Sequence, residues 1–275
     1  MGRASGRRRS LWMALGFALA CLPLPVSGQE LPASAWIDRM LRAIRTDSTL
    51  AARIEASVFN GRGGRREFAL ELLRDAQGPT VRTVLEMRES PDTPPVVLRI
   101  DSLPDGSVVS WSWDVRFQAF VRMAGLDGTE AFAGTHFHME DLGLTGLVAR
   151  REGAVGRTTV EDRELIEITS GAYHHYGRVL TRLDPDSGLP VSTWIYDATD
   201  ARIWELSFDS AQRVGEVLLP TQMRAFNPVS REATTLAWRD LVVGARLSED
   251  AFDLEALEVR IRRGDDPVAY PEPQD

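Results

Sequence analysis

A long series of short segments with strand-like alternation is the feature that most constrains the fold of this chain. Residues 51–59 alternate Ile54, Ala56 and Val58 with polar side chains, and the turn sequence NGRGG at residues 60–64 follows. About ten such segments recur at intervals near ten residues, each bounded by Gly, Pro, Asp or Asn, with no long helix between them. The pattern predicts an antiparallel meander in a mainly β protein.

A sheet of this size does not stay flat, so we expect it to curl into a barrel or half-barrel. Ahead of it, residues 31–45 repeat apolar side chains at helical spacing, which predicts an amphipathic N-terminal helix. Residues 248–258 are expected to form a short closing segment, and residues 259–275 a disordered tail. One domain is therefore expected over residues 29–258.

The first 28 residues have the composition of an export signal peptide. Arginines precede an apolar core from Leu11 to Leu24, and small residues at Val26-Ser27-Gly28 provide a cleavage position. Lipidation of Cys21 is the alternative, although the apolar run continues past that cysteine. Cleavage after Gly28 predicts a periplasmic protein with neither disulfides nor thiol chemistry.

The charge of the mature chain excludes one class of partner. Removing residues 1–28 takes away four arginines and no acidic residue, so the net charge changes from −8 to −12. An exported acidic protein without a basic run is poorly suited to bind nucleic acid. Nucleic acid is therefore excluded as a partner.

Residues 132–142 (FAGTHFHMEDL) interrupt the strand pattern and raise the question of a metal site. In extended backbone His136 and His138 point to the same side, and Glu140 offers an oxygen ligand. A zinc site needs three or four placed ligands with supporting hydrogen bonds, and the other two histidines of the chain are distant in sequence. We therefore predict no metal here.

A structural role explains the same motif better. Its two acidic residues come where a short helix near residues 139–143 would begin, and negative charge stabilises a helix N-terminus. Phe132 and Phe137 would anchor the segment in the apolar interior. The residues assigned to this fastening role are Thr135, Glu140, Asp141 and Leu142.

The motif and its context resemble the outer-membrane lipoprotein-sorting family with the LolA/LolB-like fold, and especially a branch of uncertain function. That branch carries an aromatic residue, then Gly-Ser/Thr-Asp-Phe, then Glu-Asp-Leu. Here His136 and His138 replace residues that are usually an acid and a hydroxyl. The turn at residues 184–190, the strand start at 219–223 and the last strand agree as well, so the likeness covers about residues 31–258.

The resemblance implies an unclosed antiparallel half-barrel around an apolar cavity, with the N-terminal helix and the short helix over its concave face. The better-known members carry the acyl chains of lipoproteins across the periplasm. Large apolar side chains are the candidates for lining such a cavity. They are Trp36, Met40, Trp111, Trp113, Phe132, Phe137, Trp194 and Tyr196.

Nothing in the sequence indicates an enzyme or a cofactor. It contains no Gly-x-Ser-x-Gly elbow and no glycine-rich phosphate loop, and no cysteine remains after cleavage. We predict a periplasmic, non-enzymatic carrier or holder of lipid or lipoprotein acyl chains. The alternative is a membrane-anchored accessory protein of an envelope lipid exporter, with Cys21 as its anchor. A metal-dependent enzyme that uses His136 and His138 is the third hypothesis.

Overall fold

The structure is a computed structural model, and it describes most of the chain from residue 30 to residue 265. The described ranges are 30–44, 48–88, 94–105, 107–123, 134–137, 152–171, 176–215 and 217–265. The expected short helix at 139–143 and the side chains of Phe132, His138, Glu140, Asp141 and Leu142 lie outside these ranges.

The described residues form thirteen strands, two α-helices and one short 3-10 helix. Helix α1 spans Ala33–Ile44 and helix α2 spans Leu254–Arg263, preceded by the 3-10 helix Glu249–Ala251. The strands are β1 Leu50–Asn60, β2 Arg65–Asp75, β3 Val81–Arg88, β4 Val96–Ser102, β5 Val108–Asp114, β6 Ala119–Met123, β7 Ala154–Val160, β8 Arg163–Ser170, β9 Arg178–Leu183, β10 Pro190–Tyr196, β11 Arg202–Val214, β12 Val217–Phe226 and β13 Glu232–Val243.

All thirteen strands belong to one antiparallel sheet that does not close. The order is β6-β5-β4-β3-β2-β1-β13-β12-β11-β10-β9-β8-β7, so the two edge strands come from the middle of the chain. At the centre β1 pairs with β13, with Leu50 opposite Val243. The predicted antiparallel meander and the predicted unclosed architecture are confirmed.

The sheet has more strands than the roughly ten segments expected, and two segments that look single in the sequence are each a hairpin. β5 and β6 are joined by a turn at residues 115–118, and β7 and β8 by Glu161 and Asp162 alone. Neither turn contains Gly, Pro or Asn, and Asp162 is the one residue in these two turns of a type that marked the other segment ends.

One face of the sheet, which we call the α1 face, carries the larger apolar cluster. Every second residue of the strands points to this face, as the two-residue period of a strand requires, and packs against the buried side of α1. The strands contribute Leu70, Leu98 and Leu236, among others, to this cluster, and each of these three is at most 2% exposed.

The opposite face, which we call the α2 face, carries a second and smaller cluster. Leu257 and Ile261 of α2 pack there with Phe252 against Val84 and Val97. This arrangement corrects the expected tail, since residues 259–263 continue the helix instead of being disordered. Leu257 and Ile261 lie one turn apart, so the helical period extends beyond the predicted end at residue 258.

Both ends of α2 have the hydrogen bonds that a stable helix requires. The Asp253 side chain accepts a bond from the Ala256 N–H at 2.9 Å. Gly264 follows the last turn with φ 72°, and its N–H bonds back into the helix. The helix is therefore a defined element of the fold rather than the beginning of a frayed end.

Candidate ligand-binding face

Helix α1 presents the large apolar side chains that the sequence assigned to a cavity. It packs on β12 and buries Trp36, Ile37 and Met40 in the cluster of the α1 face. Met40 has no exposed surface. On the solvent side Arg39 lies 5.3 Å from the centre of the Trp36 ring and donates a hydrogen bond to the Asp186 carbonyl at 2.6 Å. Trp36 and Met40 are therefore both buried between α1 and the sheet.

Residues 134–137 of the motif lie on the same face. Phe137 is completely buried within the cluster, and Thr135 is 2% exposed. Gly134 adopts φ 70°, and a Cβ at that position would come within 3.1 Å of the Arg66 guanidinium. Glycine is therefore favoured here both by the backbone and by the neighbouring side chain. Phe137 therefore packs residues 134–137 against the apolar cluster of this face.

His136 joins this segment to the centre of the sheet. Its backbone N–H donates to Thr234 Oγ1 at 3.0 Å, and its ring Nδ1 lies 2.8 Å from the same oxygen. The ring also contacts Trp204, with 5.0 Å between ring centres. Since Thr234 is completely buried, this contact fastens residues 134–137 directly to β13.

The surroundings of His136 favour its neutral form. Burial lowers the pKa of His136 from its ordinary value of 6.5, while Glu232 and a backbone hydrogen bond at Ala233 oppose the shift. The ring Nε2 lies 3.8 Å from Glu232 Oε2, longer than a hydrogen bond. If Thr234 donates to Nδ1, the proton of the neutral ring is on Nε2 and faces Glu232.

Four of the predicted cavity residues lie on the wrong face. Trp113 belongs to the cluster of the α2 face, and Trp111 shares its side of β5. Trp194 stacks with the guanidinium of Arg182 at 3.9 Å on the side of β10 that points away from the α1 cluster. Tyr196, two residues on, lies on that side as well. The prediction that these residues line the same cavity as Trp36 is therefore wrong.

Two tryptophans of the α1 face were not among the predicted cavity residues. Trp238 of β13 belongs to the α1 cluster and is 3% exposed. Trp204 of β11 lies opposite Ile195 and contacts His136. The alternation of β13, in which Thr234, Leu236 and Trp238 share one face, was the available signal for Trp238.

The described residues contain no group of three or more His, Cys, Asp and Glu side chains arranged to hold a metal ion. Of the residues in the metal hypothesis, His136 alone is described, and its ring nitrogens face Thr234 and Glu232. Among the helices of the described ranges, none is long and apolar enough to cross a membrane.

Comparisons with known proteins agree with this architecture. A family model of uncharacterized proteins matches residues 83–259, which is more than half of the chain. The chain belongs to that family. No curated protein matches the family member described here by sequence.

Three solved structures share the fold of this family member. A DUF1329 family protein from Desulfovibrio piger has a TM-score of 0.69 and 16% identity, over 82% of this chain and 97% of that one. A putative outer membrane lipoprotein-sorting protein domain from Vibrio parahaemolyticus has a TM-score of 0.65 and 16% identity over the same shares. A LolA superfamily protein from Nitrosomonas europaea has a TM-score of 0.57 and 11% identity, over 82% and 99%. The fold is LolA-like, as the motif resemblance predicted.

Proposed function

We propose that this protein is a periplasmic, non-enzymatic carrier or holder of lipid or lipoprotein acyl chains, bound on the α1 face. The supporting observation is the apolar cluster of that face, which an amphipathic helix covers within a sheet that does not close. A ligand chain that displaces or slides beneath α1 would meet apolar side chains throughout. The structural neighbour named as an outer membrane lipoprotein-sorting protein domain supports the same function.

The energetics of acyl burial are sufficient for this role. Each buried methylene contributes about 0.8 kcal/mol, so eight methylenes contribute about 6 kcal/mol before ordering costs. A binding free energy near that value corresponds to a Kd between about 1 mM and 1 μM. Affinity in this range permits a chain to be held and then passed on.

The sheet offers an accessible apolar rim beside the buried cluster. Ile100 of β4 and Met123 of β6 are half-buried and pack against the cluster of the α1 face. Val121 points to the same face, opposite Ser112, and is 43% exposed. We assign this rim, made of Ile100, Val121 and Met123, as the place where a ligand chain enters.

Export by the N-terminal signal places the carrier in the periplasm in this proposal. Mass analysis of the mature N-terminus distinguishes a soluble carrier from an anchored accessory protein. A chain that begins at Gln29 supports the soluble carrier. A lipid-modified chain that begins at Cys21 supports the anchored alternative.

The function is tested by native mass spectrometry of the protein purified from its host, followed by titration with a fluorescent fatty acid. Co-purified lipid and saturable binding are expected. Val121→Asp should weaken binding severalfold, because it puts a charge on the rim. Val229→Asp is the matched control, since Val229 is 74% exposed in the turn after β12. A protein that contains no co-purified lipid and does not bind the fatty acid would contradict the proposal.

A further inference from the structure

We propose that the α1 face binds the carbonyl oxygen of an acyl group as well as its hydrocarbon, through the indole N–H groups of Trp36 and Trp238. The inference rests on the proposed function and makes it more specific. The ligand class is then acyl chains joined through an ester or an amide, in preference to chains that lack a carbonyl.

Two buried donors carry this inference. Trp36 is 5% exposed and Trp238 is 3% exposed, and the Nε1 atom of each is buried without an acceptor in the part of the chain that the structure describes. An indole N–H can only donate, and buried tryptophans usually bond to an acceptor. An unsatisfied buried donor is destabilising, so two of them in one cluster require an explanation.

The two donors share one apolar environment. α1, which carries Trp36, packs on β12, and Trp238 is on β13, the neighbour of β12 in the sheet. Both rings belong to the cluster of the α1 face together with Met40 and Met223. Methionine side chains adapt to the shape of a ligand. The donors therefore lie where an acyl chain would lie in the proposed function.

The chemistry of the ligand follows from the donors. A hydrocarbon chain would leave both N–H groups unsatisfied, whereas an ester or amide carbonyl can accept from them. A site built to bond a polar atom rejects an analogue that lacks the atom, because its own buried group then stays unpaired. The carbonyl of a glycerolipid ester and the carbonyl of an amide-linked lipoprotein acyl chain share this property.

A matched pair of ligands tests the inference without any mutation. 1-Palmitoyl-lysophosphatidylcholine and its 1-O-hexadecyl ether have the same headgroup and the same chain length, but the ether lacks the carbonyl. The affinity of each lipid is measured by its displacement of a fluorescent fatty acid from the full mature protein. Each lipid is used below its own critical micelle concentration. We expect the ester to bind about tenfold more tightly than the ether. An amide-linked palmitoyl analogue with the same headgroup then distinguishes the two natural sources.

Variants locate the effect. Trp36→Phe and Trp238→Phe each keep an aromatic side chain and remove the N–H donor, so each should reduce the preference for the ester. Trp113→Phe, on the α2 face, should leave it unchanged. Circular dichroism checks that each variant is folded. The comparison of ester and ether on the wild type tests the carbonyl preference without any variant.

Each outcome has a distinct meaning. Equal binding of ester and ether to the wild type would overturn this inference and leave the proposed carrier function intact. Binding of neither ligand, with no fatty acid binding, would overturn the carrier function itself. A preference that survives in both phenylalanine variants would overturn the assignment to Trp36 and Trp238.

Discussion

Arg260 of α2 donates a hydrogen bond to Glu86 of β3 at 2.6 Å, and the two side chains are 14% and 4% exposed. The bond connects a helix at the end of the chain to a strand in the first half of the sheet. The Phe252 carbonyl, which accepts a hydrogen bond from Arg99 of β4, connects the same region to the next strand. The α2 face is therefore held by buried polar contacts as well as by apolar packing.

Removing Arg260 should destabilise the protein strongly. Arg260→Met leaves the Glu86 carboxylate buried without this cation, and breaking a buried ion pair costs about 3–5 kcal/mol. The control is Arg239→Met, because Arg239 pairs with Glu55 where both side chains are more than half exposed. That loss should be about 1 kcal/mol or less. Urea denaturation measures both, and losses of equal size would contradict the role of the buried pair.

Glu71 should make the protein less stable at neutral pH than at acidic pH. Burial raises the pKa of Glu71 from its ordinary 4.5, Arg53 opposes the shift, and Glu86 and Asp240 add to it. The folded state thus holds the proton more tightly than the unfolded state. Its stabilising effect is complete below pH 4.5 and is lost as the pH rises through the raised pKa.

The corresponding variant is Glu71→Gln, which does not ionise. Its free energy of unfolding should exceed that of the wild type at about pH 7.5, and the difference should shrink at about pH 4. Urea denaturation at the two pH values checks this. A variant that is less stable than the wild type at neutral pH would show that the contact with Arg53 outweighs the burial.

Acid should loosen the segment at residues 134–137. Because burial lowers the pKa of His136 below 6.5, the detached or unfolded segment takes up the proton first as the pH falls through 6.5. Above that pH the ring is neutral in both states and contributes no pH dependence. Hydrogen exchange at the Phe137 amide, corrected for its intrinsic rate, should show less protection at about pH 5.5 than at about pH 7.5. His136→Phe should remove that difference, and a variant that keeps it would locate the titration elsewhere.

Tryptophan fluorescence should distinguish the two faces. A brominated fatty acid quenches indoles that it contacts, so Trp36, Trp204 and Trp238 should account for the quenching. Replacing each of them with Phe should reduce the quenched fraction. Replacing Trp113 or Trp194 should not, since they lie on the other face. Quenching that depends on Trp113 would show that the ligand binds on the α2 face instead.

The strands could be predicted because alternation and turn residues mark each one, but two hairpins could not. Glu161 and Asp162, which join β7 to β8, have φ values of 49° and 62°. A two-residue turn of this kind normally ends in Gly, whereas here the pair is Glu161-Asp162 and contains no glycine. Gln118 at the end of the β5–β6 turn has φ 48° and likewise carries no sequence signal.

The sequence identifies large apolar side chains as candidates for the site, but it does not show on which face of the sheet each of them lies. The two-residue period of β5 puts Trp111 and Trp113 on the same side of the strand, but it does not say which face is covered by which helix. Arginine side chains lie over the half-buried rings of Trp111 and Trp194 on the α2 face. By contrast, α1 carries a single apolar stripe, so the inward position of Trp36 and Met40 followed from the sequence.

The pairing of β1 with β13 has a consequence for the order in which the molecule can form. Every other pairing in the described sheet joins strands adjacent in sequence, whereas Leu50 meets Val243 only after nearly the whole chain has been made. Local hairpins form quickly, and a contact between distant segments must first overcome the entropy of closing the loop between them. While the sheet forms, β1 therefore has one unpaired edge, which can pair with a wrong strand until β13 covers it.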